Sequence, residues 1–234
     1  MLPSRHFGDL KPESWLGLLD ATYAIILTLM VIELPALVTD LIDHFRQHHN
    51  SLNVLIRLLC VHVLGYVAMF MIVYEIWSIH RSILTISQPS RHRTIFAGAI
   101  LAVASFMPPL VQMANGYRQA YILSGDQQDR AVIEVIRVFV YLALLLIYFL
   151  LQLSARRSLL RAEEGGSAGA DRDLRYLISV ARSRGLLVVA VYLFSLVFPI
   201  GGPIYLISFA LIAYFGVDLL NFVRRCLRPL RGSR

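Results

Sequence analysis

Residues 16–38 read LGLLDATYAIILTLMVIELPALV. A bilayer core of about 30 Å needs about 20 largely apolar residues in a helix. This stretch supplies them, with its two carboxylates, Asp20 and Glu33, held near its ends. It reads as a membrane-spanning helix, and the rest of the chain repeats the pattern. Residues 54–79 form a second such run, holding His62 and Glu75, and 94–114 a third, whose Pro108-Pro109 should break or kink its far end. Residues 132–153 form a fourth, with Glu134 and Arg137 in its first turns. The uncharged run Gly185–Val217 is too long for one crossing and is cut by Pro199-Ile200-Gly201-Gly202-Pro203, a tight hairpin between spans at about 178–199 and 203–223. The expected fold is an all-α integral membrane protein of six transmembrane helices, residues 1–234 forming one transmembrane domain.

Composition agrees. Of 234 residues, 57% are hydrophobic and 16% charged, against about 25% charged in soluble domains. The net charge is +7, which in a soluble protein would suggest nucleic acid. Here it reports topology. The N-terminus, the 80–93 loop, the 154–184 loop and the C-terminus carry 17 Lys and Arg residues, and the opposite connections carry 4. That asymmetry places both termini in the cytoplasm and removes the need for a nucleic-acid partner. Residues 154–177 are expected to be a cytoplasmic linker, with EEGGSAGA at 163–170 as its flexible part. The first apolar stretch ends in Glu33-Leu34-Pro35 rather than in small residues, so it is expected to stay uncleaved.

Catalytic and metal signatures are absent from the sequence. It contains no nucleophile elbow, Walker or zincin motif, so no enzyme activity and no cofactor are expected. Cys60 and Cys226 lie in or beside apolar runs and imply neither a disulfide framework nor a metal site. His44, His48 and His49 share the first outer connection with Asp40 and Asp43, in a spacing that matches no closed metal site; a solvated loop is expected.

Within the first helix, Ile25, Leu29 and Ile32 fall at i, i+4 and i+7 and so share one face, bordered by Thr28. Ala21, Thr22 and Ala24 permit close helix approach. Periodicity alone favours ordinary packing between helices for this stripe, since apolar residues face every direction in a membrane helix.

The same stretch resembles the first-helix signature of the transmembrane protein 175 family of potassium channels. That signature is an Arg-x-x-x-Phe-Ser-Asp opening, a small/aromatic/Ala-Ile run, then Thr-Leu and an acidic residue near the outer end. Asp20, Ala24-Ile25, Thr28-Leu29, Ile32 and Glu33 match it. Trp77-Ser-Ile-His80 resembles the family's Trp-x-x-His, and Met107-Pro108-Pro109 its Leu-Pro ending to helix three. The opening departs: Ser14, Leu18 and Leu19 stand where the family has Arg, Phe and Ser. The polar tie between helices one and two is therefore expected to differ.

What the resemblance implies is a homotetramer with helix one central, a potassium-conducting pore, and six spans per chain in the plasma (inner) membrane. Ile25 would be the inner constriction, Thr28 a hydroxyl ring near which potassium passes transiently, Leu29 a second apolar layer and Ile32 the outer one. Four apolar side chains around an axis make a hydrophobic constriction in place of a carbonyl filter, and the sequence has no Thr-Val-Gly-Tyr-Gly loop. Glu33 would concentrate cations at the outer mouth. Independently of the resemblance, a carboxylate in a span calls for a partner, so Asp20 is expected either to make a structural polar contact with Trp77 or His80 at the inner end or to be solvated at the interface.

Glu134 and Arg137, three residues apart, are expected to pair. Asp218 lies near Arg224 and Arg225. Two alternatives stand beside the channel: a transporter or intramembrane enzyme using Glu75 or Asp218, and a non-conducting relative of the same fold.

Overall fold

Lipid offers no hydrogen bonds, so an apolar run that crosses it must satisfy its backbone internally as helix. A computed structural model describes residues 12–48, 52–87, 91–110, 112–113, 117, 127–164 and 168–197. Five long helices follow in order: α1 (Pro12–His48), α2 (Leu52–Ile86), α3 (Arg91–Ser105), α4 (Gln127–Glu164) and α5 (Ala168–Val197). Among the described residues there is no strand. Five stretches are long and apolar enough to cross a membrane: Trp15–Ala36, Val63–Ile86, Arg93–Leu110, Gln127–Ala162 and Gly169–Val197. The chain is thus an all-α protein with five candidate spans. The expected sixth span at 203–223 and the hairpin at 199–203 lie outside the described residues.

The helices overrun the apolar runs that announce them. The 37 residues of α1 extend about 55 Å at 1.5 Å per residue. Its helix continues through Pro35 to His48, so the stretch expected as an outer loop with Asp40, Asp43 and His44 is helical. The segment after Ala36 has no further Gly or Pro to stop it, and Thr39 Oγ1 donates back to the Pro35 carbonyl at 2.9 Å. Likewise α4 runs on to Glu164 and α5 begins at Ala168. Much of the 154–177 stretch expected as a linker is therefore helix, including part of its Gly-rich segment. Arg, Leu, Ala and Glu are good helix formers whether or not lipid surrounds them. α3 does end early: Ser105 is its last residue, Phe106 turns, and 107–110 resumes as one helical turn. Pro108 would clash with the carbonyl four residues back, and Pro109 cannot donate either.

α4 and α5 form the most extensive pairing and α1 and α2 the next; α2 touches all four other helices. The α4–α5 register is constant. Tyr141 meets Tyr192 with ring centroids 5.2 Å apart. Seven residues along, a Cβ on Gly185 would sit 3.8 Å from that of Tyr148. The guanidinium of Arg157 lies 4.9 Å from the centroid of the Phe96 ring, so the α2–α3 and α4–α5 connections share one membrane face. Arg93 closes the end of α2: it donates to the Ser87 carbonyl at 2.7 Å and to that of Leu84. Helix C-termini leave carbonyls without intrahelical donors, and a guanidinium supplies several.

Side chains of Met69, Ile72, Val73 and Ile76 on α2 are fully buried. Beside them, Arg184 Nε donates to Glu75 Oε1 at 2.7 Å, and the Tyr148 hydroxyl donates to Oε2 at 3.1 Å. The two charged side chains are 10% and 13% exposed, and the trio ties α2, α4 and α5 together. Removing one partner of a buried pair strands the other charge, at a cost of about 3–5 kcal/mol. Glu75→Leu should therefore lower thermal stability in detergent sharply, and Tyr148→Phe by about 1 kcal/mol. The Glu75→Leu/Arg184→Leu double variant should regain most of the loss. A double variant no more stable than Glu75→Leu would show that the pair is not the source of the effect.

Candidate functional site

α1 has two unlike faces. Leu19, Tyr23, Ile26 and Met30, at i, i+4, i+7 and i+11, are at most 3% exposed; they pack into the core formed with α2. Ile25 is 61% exposed, Leu29 47% and Ile32 64%; Thr28 beside them is exposed too. Helical spacing generates both stripes from one sequence. Among the described residues, the first stripe is covered and the second is exposed. Glu33 follows Ile32 within α1.

The N-terminal part of α1 is held by polar contacts from two turns of α2. Trp77 Nε1 donates to Asp20 Oδ1 at 2.8 Å. Arg81 Nε lies 3.5 Å from Asp20 Oδ2, with both side chains more than a third exposed. Its guanidinium also sits 5.5 Å from the centroid of the Trp77 ring, and the Tyr74 ring lies 5.1 Å from that of Trp77. His80 is fully buried and does not meet Asp20. Its Nδ1 lies 3.4 Å from the Tyr23 hydroxyl, with the rings edge to face. The structure thus brings Asp20 to Trp77 and adds Arg81, while His80 pairs with Tyr23 one turn further along α1.

Several residues in these contacts were not marked as partners by the sequence. Arg184 reads as a loop arginine, although a carboxylate such as Glu75 inside a span calls for a countercharge and Arg184 is the last charge before the long uncharged run. Tyr23 reads only as an aromatic in a small-residue run, and Arg93 as a topology marker. Glu134 and Arg137 do pair, three residues apart on α4. Asp218 lies outside the described residues. Among the described residues, no group of three or more His, Cys, Asp or Glu side chains is placed to hold a metal ion.

Fold and site together define a multi-pass, all-α membrane protein whose first helix is pinned at one end and bare along one face. Residues 16–108 match the sequence model of the family described as Endosomal/lysosomal potassium channel TMEM175; over these first three helices the chain is similar to that family. The family is one of potassium channels rather than enzymes. No curated protein and no solved structure matches the chain.

The Asp20 contacts separate a hydrogen bond from an ion pair. A charge-assisted hydrogen bond contributes about 1.5–3 kcal/mol, whereas an exposed ion pair contributes about 0–1 kcal/mol. Asp20→Asn keeps an acceptor for Trp77 and should cost little in thermal stability; Asp20→Ala and Trp77→Phe should each cost more, by similar amounts. Equal losses for Asp20→Asn and Asp20→Ala would instead assign the stabilisation to the charge.

Proposed function

We propose that the protein is a potassium-conducting cation channel, a homotetramer in which α1 of each copy lines a central pore. The bare stripe Ile25–Thr28–Leu29–Ile32 carries this reading, because four-fold association is a way to cover a face that the single chain leaves open; the family match over the same helix supports it. In this arrangement Ile25 forms the inner constriction, Leu29 and Ile32 the apolar layers above it, and Thr28 a ring of hydroxyls for a partly dehydrated potassium ion. Apolar rings exclude water and gate by dewetting. Glu33 at the outer mouth raises the local cation concentration. The membrane is the plasma (inner) membrane, with both termini on the cytoplasmic side, in keeping with the arginine distribution. The competing reading, proton or substrate chemistry at Glu75, is disfavoured because Arg184 and Tyr148 already engage both carboxylate oxygens.

Purified protein in liposomes should pass potassium. Ile25→Ala should widen the narrowest ring and raise the flux several-fold. Thr28→Val, equal in volume without the hydroxyl, should reduce discrimination between potassium and sodium while leaving assembly intact. Absence of flux from the native protein and both variants, or a mass in detergent other than four copies, would overturn the proposal.

A further inference from the structure

The α4–α5 hairpin carries a belt of arginines for which pore formation provides no role. On α4 the uncharged run Val138–Ala155 is bracketed by Arg137 and Arg156. It spans about 27 Å of helix, close to the hydrocarbon thickness of about 30 Å, so Arg156 marks the level where hydrocarbon ends. Arg157 and Arg161 follow on α4. The constant register sets Tyr176 of α5 level with Arg157, and Arg172 level with Arg161. Arg156, Arg157, Arg161, Arg172 and Tyr176 are all exposed. From Arg156 to Arg161 the belt rises about 7–8 Å, and a headgroup layer occupies about 5–8 Å per leaflet.

Two details give the belt a direction. Its acidic neighbours, Glu163, Glu164, Asp171 and Asp173, all lie towards the tip of the hairpin, beyond the level of Arg157, and Asp171 is engaged by Arg175 at 3.2 Å. The zone nearest the hydrocarbon, at Arg156 and Arg157, is therefore purely basic, whereas Arg161 and Arg172 stand level with exposed Asp173. Below it, exposed Arg182 is level with Leu151, inside the apolar run, from where an arginine reaches outward to a headgroup. Exposed Tyr176 stands at the depth interfacial aromatics favour. Guanidinium forks suit phosphate oxygens, which they bind in pairs of hydrogen bonds.

We propose that this belt binds anionic phospholipid headgroups of the leaflet in which the hairpin stands. Binding is independent of conduction and is read without it. The full-length protein in neutral detergent is titrated with phosphatidylglycerol, phosphatidylcholine or inorganic phosphate while its thermal unfolding midpoint is followed. Phosphatidylglycerol should raise the midpoint well above the shift given by phosphatidylcholine, and added salt should reduce that difference. In the Arg156→Gln/Arg161→Gln/Arg172→Gln variant, apparent affinity should fall about hundred-fold, at roughly five-fold per arginine. Arg130→Gln, at the other end of α4, should leave it unchanged. Should the triple variant fail to fold, the three single variants are measured instead, each expected to lose about five-fold. Equal shifts from the two lipids, an affinity unaltered in these variants, or a shift reproduced by inorganic phosphate would each overturn the proposal.

Discussion

A carboxylate within a membrane span is tolerated only with a partner, and the contacts of Glu75 organise much of this bundle. Arg184 and Tyr148 reach it from α5 and α4. Two residues further along α2, Trp77 reaches Asp20 on α1 from another side of the helix. Within the two turns from Tyr74 to Arg81, α2 therefore makes polar contacts to α1, α4 and α5. These bonds are few, yet directional in a medium where apolar side chains have little preference for one neighbour over another. Apolar packing fills the interior; the polar contacts select which helices meet and at what height.

The arrangement has a consequence for α1. Its buried stripe and its Asp20 contacts fix both the rotation of the helix and its depth, so Ile25, Thr28, Leu29 and Ile32 point away from the protomer together. A pore built from such a face would depend on apolar rings rather than ordered carbonyls, making the orientation of one helix decisive for its width. The departures at Ser14, Leu18 and Leu19 fit this picture. Leu19 is buried in the apolar core, while Asp20 finds its donors in Trp77 and Arg81.

Hydrophobic run length located the five described spans because the bilayer imposes one thickness on every crossing. It did not locate the helix ends. Backbone hydrogen bonding continues wherever no residue interrupts it, which is why α1 passes Pro35 and why α4 and α5 extend into the Arg-rich stretch. Pro108-Pro109 was legible as a break in α3 because its effect on the backbone is local. The Glu75–Arg184 pair was not, since the two residues are 109 positions apart and no spacing rule connects them. His80 showed the same limit: the sequence put it near the end of its apolar run, but the choice of Tyr23 over Asp20 followed from how α1 and α2 are rotated against each other.

By itself the sequence determined an all-helical membrane protein, the apolar crossings, the concentration of arginine at one set of connections and the shared face of Ile25, Leu29 and Ile32. These are one-dimensional properties, set by run length, charge order and helical period. Only the tertiary structure decided which stripe of α1 is covered, which arginine answers Glu75 and that arginines far apart in sequence stand at one depth on the α4–α5 hairpin. Those depend on rotation and register between helices, which are settled by the combined fit of side chains from several helices at once.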